Sequence, residues 1–145
     1  MNEQNNQEDL TDSQTKHFTL YILRLIENKY YIGLTTRADP RIRINEHFSG
    51  KFNAAKWTKK YKPLEVLEIR SLGEITQTAA EQIENGETLE WMKMHGYQNV
   101  RGGDHTYSGK YVKIGSRFWP GFVFEAIVSL WFVIVVIILL MIKTL

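Results

Sequence analysis

The sequence predicts an α+β fold: a small three-stranded antiparallel sheet flanked by helices, followed by one apolar C-terminal helix. The first observation is a pair of apolar runs at 18–26 and 30–34, rich in β-branched and aromatic residues and joined by a short polar link, which is typical of a β-hairpin. The second is a long segment at 75–95 with helical spacing of apolar residues. The third is the uncharged stretch at 126–142, which is typical of a membrane-spanning helix.

Composition predicts one compact domain with an appendage, since the chain has 145 residues. Residues 1–16 are polar and rich in Asn and Gln, which predicts a disordered arm. The folded domain is expected at 17–104, a basic linker at 105–117 and a membrane segment at 118–145. There is no cysteine, which excludes disulfides and thiolate metal sites, so any metal would be held by oxygen or histidine ligands.

The first helix is predicted from its cap. Asp39 and Pro40 are residues preferred at the N-cap and the first helical position, and the helix is expected to end near Gly50. Arg43 and His47, four residues apart, share one face of this helix. The simpler interpretation is a surface helix on which Arg43 contacts Glu46 or solvent.

A basic surface is predicted next, because residues 37–62 contain eight lysines or arginines and only two acids. Phosphate contacts are expected from Lys56, Lys59 and Lys60, whereas Trp57 is expected in the core. The alternative is a solvated charged surface. A third strand is predicted at 64–69, a turn at 71–74 and the long helix at 75–95. Three-and-four spacing places Glu84 in a stripe on one side of this helix, with Thr88, Trp91 and His95.

The pattern Tyr31-Ile32-Gly33, with Thr19-Leu20-Tyr21 in place of Gly-Ile-Tyr, resembles the GIY-YIG nuclease family. The resemblance extends over 18–103, including a Val-Arg-Gly-Gly run at 100–103. Antiparallel pairing of the two apolar runs would place Tyr21 and Tyr31 on one face of the sheet. The resemblance implies that both tyrosines line the site and that a glutamate of the long helix binds a metal: Glu84, with Glu81 and Glu87 as alternatives. The implied catalytic residues are Tyr21, Tyr31, Arg43, His47 and Glu84. The predicted nucleic-acid-binding residues are Arg41, Lys56, Lys59, Lys60, Asn99 and Arg101.

The resemblance implies hydrolysis of DNA phosphodiester bonds with one divalent ion, Mg²⁺ or Mn²⁺, held by Glu84. Arg43 would stabilise the phosphoryl oxygens. The general base is left open between Tyr21, Tyr31 and His47, since a phenol of pKa about 10 is a poor base without neighbouring cations. Two alternatives are a degenerate nucleic-acid-binding module, favoured by the missing glycine at Thr19, and a module that contacts only proteins.

The apolar segment predicts one membrane span from Phe122 to Ile142, with the lipid bilayer as a partner. Lys110, Lys113 and Arg117 precede it and Lys143 follows it. This excess of positive charge predicts that the domain faces the cytoplasm, at a bacterial inner membrane. Because two residues follow Lys143, the segment is expected to be a tail anchor. Incoming foreign DNA is the suggested target.

Overall fold

The computed structural model describes residues 14–115 and 117–143, and the chain divides into two units, residues 1–108 and 109–145. Residues 1–13 of the predicted disordered arm lie outside the described residues. The last residues of that predicted arm are described, and they are part of a strand. Strand β1 begins at Thr15 and pairs there with Thr76. The elements of the first unit are β1 (Thr15–Leu25), β2 (Lys29–Thr35), α1 (Pro40–Phe48), α2 (Lys56–Lys60), β3 (Pro63–Thr76), α3 (Gln77–His95) and β4 (Val100–Arg101).

The predicted hairpin is confirmed as an antiparallel pair, β1 and β2, joined by a 3-10 turn at Ile26–Asn28. Glu27 and Asn28 both adopt positive φ, at 57° and 52°. Asn tolerates this left-handed conformation better than most residues, whereas glutamate gains nothing from it.

The sheet has four strands in the order β3-β1-β2-β4, rather than the predicted three. The additional strand β4 pairs parallel to β2, with Tyr30 opposite Val100. Strand β3 is also longer than predicted, because it continues through the expected turn at 71–74. Gly73, with φ of 77°, lies beside a register shift in the β1–β3 ladder, so the strand bends there instead of ending.

One face of the sheet carries the main apolar cluster, which α1 and α2 complete. Its members alternate along the strands, as a pleated sheet requires. They are Tyr21, Leu23, Leu25, Tyr31, Ile44 and Trp57. Trp57 is therefore a core residue, as predicted. On the opposite face Leu20, Ile22 and Ile32 are fully buried.

The two longer helices of this unit begin at side-chain caps. The Asp39 carboxylate accepts a hydrogen bond from the Arg41 backbone N–H at 2.9 Å, which confirms the predicted start of α1. The Thr76 hydroxyl accepts one from the Ala79 N–H at 3.2 Å at the start of α3. Helix α3 ends at His95, and Gly96 follows as its C-cap with a φ of 87°, a conformation that glycine adopts readily.

The second unit contains a short hairpin and the apolar helix. Strands β5 (Tyr111–Ile114) and β6 (Arg117–Pro120) pair antiparallel. Strand β5 lies in the predicted linker, whereas β6 extends into the start of the predicted membrane segment. Helix α4 (Gly121–Lys143) follows. It is the one described helix long and apolar enough to cross a membrane, and its best window, Gly121–Ile138, has a mean hydropathy of 2.6 with no buried residue.

Candidate active site

Two tyrosines form the centre of the site. Tyr21 lies opposite Gly33 in the β1–β2 register, and Tyr31 lies opposite Leu23. The two phenols are therefore diagonal neighbours on one face, with ring centroids 6.3 Å apart. This confirms the predicted placement of both side chains.

Gly33 allows the Tyr21 ring to lie across β2. A Cβ at this position would come within 2.5 Å of the Tyr21 hydroxyl oxygen, so no other residue fits without moving the phenol. Thr19, which replaces the glycine of the first motif, is buried opposite Thr35 in the same ladder. The substitution therefore leaves the Tyr21 position intact.

His47 connects the tyrosines to α2. Its Nε2 is 2.9 Å from the Tyr21 hydroxyl oxygen, and its Nδ1 is 2.8 Å from the Thr58 hydroxyl oxygen. Its ring also packs 5.0 Å from the Tyr31 ring, centroid to centroid. All three hydrogen-bonded residues, Tyr21, His47 and Thr58, are 1% exposed, so this chain of polar groups is sealed from bulk solvent.

Arg43 supplies the positive charge of the site. One guanidinium nitrogen donates to the Glu46 carboxylate at 2.7 Å and to the Asn53 carbonyl at 2.8 Å. Burial raises the pKa of the Tyr21 phenol, and the neighbouring Arg43 guanidinium partly offsets that rise. The contact with Glu46 foreseen by the simpler interpretation therefore exists, but the same side chain also faces the phenols.

Glu46 holds a second arginine as well. Arg37 donates to the other Glu46 carboxylate oxygen at 2.7 Å. Both arginines line an open cleft of about 510 Å³, which extends from α1 to Gln77 at the start of α3. Two guanidinium groups fixed by one carboxylate leave a net positive charge at the cleft, as phosphate recognition requires.

Burial is the main cause of the raised pKa of Tyr21 and Tyr31, and the charge of Glu84 on α3 adds to the rise at both phenols. Burial raises the pKa of Glu84 itself to about 6, and the backbone N–H of Gly103 partly offsets this. Among the described residues Glu84 has no ion-pair partner. The two other glutamates considered for the metal site differ from Glu84: Glu81 is exposed, and Glu87 binds Arg70.

The Val-Arg-Gly-Gly run packs beneath this part of α3. A Cβ at Gly102 would lie 2.6 Å from the Thr88 hydroxyl, and one at Gly103 would overlap the Asn85 side chain. Asn85 and Asp104 also exchange two hydrogen bonds, at 2.7 and 2.9 Å. The run therefore fixes the Gly103 N–H against the carboxylate of Glu84.

The protonation states at neutral pH follow from burial. Desolvation raises the pKa of Tyr31 to about 12 and that of Tyr21 well above its ordinary value. Burial and the neighbouring Arg43 lower the pKa of His47 to about 4. The phenols and the imidazole are therefore neutral, while Arg43 and most of Glu84 carry charge.

A divalent ion fits the chemistry of Glu84. No group of three or more His, Asp or Glu side chains suited to a metal occurs among the described residues. A partly buried carboxylate with no ion-pair partner in the described part of the chain suits Mg²⁺, which keeps several waters and takes few protein ligands. A cation there would also offset the cost of burying this charge.

The predicted nucleic-acid contacts divide into surface and interior groups. Arg41, Lys56, Lys59 and Lys60 are exposed. Lys59 and Lys60 also donate to the backbone, at Phe52 and Ser108.

Asn99 and Arg101 are used within the fold. The Asn99 side chain accepts from Lys29 at 2.7 Å and donates to the His95 carbonyl at 2.8 Å. Arg101 is 1% exposed, donates to three backbone carbonyls and lies 4.2 Å over the Trp57 ring. The prediction that Arg101 binds nucleic acid is therefore corrected to a structural role.

The sequence pattern does not mark Thr58, Arg37 or the role of Glu46 as the carboxylate that holds both Arg37 and Arg43. Thr58 lies in a stretch whose clearest pattern is its lysines, and no periodicity of polar residues distinguishes it. Arg37 lies in a loop. Both act through contacts that only the folded chain creates.

The open cleft is lined by Arg37 and Arg43, and Arg43 also acts on the phenols. A guanidinium can stabilise phosphoryl oxygens and a carboxylate can hold a metal ion, so the arrangement suits phosphoryl chemistry. Comparison with known families identifies the class. The GIY-YIG catalytic domain matches residues 17–92, just over half of the 145-residue chain, and the chain belongs to this family. No curated protein and no solved structure matches it. The family supports a nuclease function, generally dependent on a divalent metal, and implies DNA as the substrate.

Proposed function

We propose that this chain is a divalent-metal-dependent DNA endonuclease anchored in a membrane. The observation that carries the proposal is the convergence of Tyr21, Tyr31, Arg43 and His47, in contact or near contact, with Glu84 acting on both phenols. These groups come from β1, β2, α1 and α3, and packing alone would not require them to meet.

Each side chain has a distinct role in the proposed reaction. Arg43 binds the phosphoryl oxygens and stabilises the charge that builds on them. Glu84 holds Mg²⁺ or Mn²⁺, which when bound would stabilise charge on the phosphate oxygens. Tyr21 contacts His47 and lies near the charge of Arg43, and it takes the proton from the attacking water. Tyr31 packs against His47 and limits its movement.

The cleft beside Arg43 fits a DNA backbone. Arg37 lies at its rim with 43% of its side chain exposed, so it can contact a neighbouring phosphate while Glu46 fixes its position. The exposed residues Arg41, Lys56, Lys59 and Lys60 supply further positive charge, which adds affinity that does not depend on sequence.

Membrane anchoring is proposed for helix α4. Its 23 residues extend about 34 Å at 1.5 Å per residue, enough for a hydrocarbon core of about 30 Å. The proposed span is Phe122 to Ile142. The positive charges before it favour a cytoplasmic domain at a bacterial inner membrane, where incoming foreign DNA would pass close to the site.

Cleavage of supercoiled plasmid tests the proposal. Purified full-length protein in mild detergent should nick plasmid with Mg²⁺ or Mn²⁺, and excess chelator should stop the reaction. We expect Glu84→Gln to lower the rate by about 10²–10⁴-fold, because the metal site is lost. Glu81→Gln, three residues earlier on the same helix and exposed, is the matched control.

Three results would argue against a nuclease. Equal rates for wild type and Glu84→Gln would remove Glu84 from the site. A salt-sensitive gel shift without nicking under any divalent metal would favour a binding module. Absence of both DNA and metal binding would favour a module that contacts proteins.

A further inference from the structure

The hydrogen-bonding capacity of Thr58 determines which nitrogen of His47 carries the proton. The Thr58 hydroxyl donates to the Ala55 carbonyl, 3.0 Å away. A hydroxyl has a single proton to donate, so toward His47 its oxygen acts as an acceptor. The His47 Nδ1, 2.8 Å from that oxygen, must therefore carry the ring proton.

The other nitrogen then has a free lone pair. His47 is neutral at pH 7, since its pKa is about 4, and a neutral imidazole carries one ring proton. Nε2 is consequently an acceptor, and the Tyr21 O–H donates to it over 2.9 Å. The neighbouring Arg43 has donors only and cannot accept the Tyr21 proton, which therefore faces His47.

We propose that Thr58 is a positioning residue, which holds His47 as the Nδ1–H tautomer so that Nε2 receives the proton of Tyr21 during hydrolysis. This inference rests on the proposed nuclease function and deepens it, because it connects a further element, α2, to the reacting groups. The opposite tautomer would make His47 a donor to Tyr21, and the proton would then have no acceptor in this buried chain of residues.

The proton transfers balance as follows. The Tyr21 proton moves to His47 Nε2, and the phenolate takes a proton from a water molecule. The resulting hydroxide forms a bond to phosphorus, the opposite P–O bond breaks, and the leaving oxygen takes a proton from solvent. His47 finally returns its proton to the Tyr21 oxygen as the proton that Tyr21 took from water leaves to water at the phosphate, which restores the starting state.

The arrival of substrate favours the transfer. Burial and Arg43 together keep His47 neutral in the free protein. A phosphodiester anion bound to Arg43 offsets the positive charge that disfavours an imidazolium. His47 therefore becomes a better acceptor when DNA occupies the cleft, and Tyr21 stays protonated when it does not.

Nitrogen-15 NMR of the histidine rings tests the tautomer directly. The sample is uniformly labelled full-length protein in detergent micelles at pH 7, with His47 assigned by the loss of its signals in His47→Asn. We expect the proton of His47 on Nδ1 in the wild type and in Thr58→Ser. In Thr58→Val, which removes the acceptor at similar volume, the preference for Nδ1 should weaken, so that the Nε2–H tautomer becomes populated beside it.

Kinetics supply a second readout. We expect Thr58→Val to lower kcat for plasmid nicking by about 10–100-fold with little change in KM, and Thr58→Ser to restore it. The control is Thr19→Val, a buried threonine of the same unit without a histidine contact.

Two distinguishable failures are possible. A wild-type His47 with its proton on Nε2, in a protein that cleaves DNA, would overturn the role of Thr58 alone, as would a Thr58→Val variant with wild-type kcat. Absence of cleavage in the wild type with every divalent metal would overturn the nuclease proposal and, with it, this catalytic role. Because the tautomer is read in the wild type, a Thr58→Val variant that fails to fold does not prevent the test.

Discussion

Gly33 shows how a missing side chain can place a reactive one. The Tyr21 phenol occupies the space that a Cβ at position 33 would need, and this phenol also contacts His47 and Arg43. The glycine of the second motif is therefore explained by a contact with the tyrosine of the first. Neither motif has its function without the other.

Gly33→Ala should displace Tyr21. The added methyl would lie 2.5 Å from the phenol oxygen, so we expect a loss of about 1–3 kcal/mol in the free energy of unfolding together with loss of nicking. Thermal unfolding followed by tryptophan fluorescence measures the first effect. Gly86→Ala is the control, since its Cβ would meet open space in α3 and should stabilise the helix. A Gly33→Ala protein as active as the wild type would contradict this account.

Glu84 should couple stability to pH in the absence of metal. Its pKa in the folded protein, about 6, lies above the ordinary value of 4.5, so the ionised form is disfavoured in the fold. The penalty is absent below pH 4.5 and complete above pH 6. In chelator at pH 8, we expect Glu84→Gln to exceed the wild type in free energy of unfolding by about 1–2 kcal/mol, with no difference at pH 4.

Metal should reverse that difference. At pH 8 Mg²⁺ should raise the melting temperature of the wild type and leave that of Glu84→Gln unchanged, because only a carboxylate binds the ion. Equal responses of the two proteins to Mg²⁺ would place the metal elsewhere.

At the level of elements, the hairpin turn contains an avoidable strain. Glu27 adopts φ of 57° without being glycine or asparagine. Glu27→Gly should therefore raise the free energy of unfolding by up to about 1 kcal/mol, as measured by chemical denaturation. Glu27→Ala, which removes the charge but keeps the Cβ, should change it little. A destabilised glycine variant would show that the Glu27 side chain contributes more than its conformation costs.

The elements that the sequence predicts well are those with a strong local signal. The hairpin, the Asp39–Pro40 start of α1 and the long helix α3 all have one. Strand β4 contains two residues, too few for alternation to be visible, and its parallel pairing with β2 depends on distant packing. The extension of β3 past Gly73 was missed because glycine usually marks a turn, whereas here it permits a bend.

The site was predictable to the same extent. The order and spacing of motif residues such as Tyr21, Tyr31 and Gly33 are enough to identify them in the sequence. Thr58 and Arg37 do not, because their roles come from hydrogen bonds across elements. An arginine in a glycine-rich run suggests phosphate binding, which is why Arg101 is predicted to contact nucleic acid. In the fold its side chain is buried over Trp57 and therefore has a structural role.

At the scale of the whole molecule, the absence of cysteine allows a direct test of topology. Phe52 is 94% exposed in the first unit, and Thr144 follows α4 in the sequence. In spheroplasts, we expect Phe52→Cys to be protected from a membrane-impermeant maleimide and Thr144→Cys to be labelled. The reverse pattern would invert the proposed orientation, and labelling of both would argue against a membrane span.

A double-mutant cycle measures whether the separated residues act as one site. Single-turnover nicking rates are compared for the wild type, Tyr21→Phe, Glu84→Gln and the double variant, with Mg²⁺ at saturating protein. Residues that serve one chemical step are strongly non-additive. We predict that the double variant is no slower than the slower single variant. Rates that multiply would show that Tyr21 and Glu84 act independently, and would contradict a shared catalytic site.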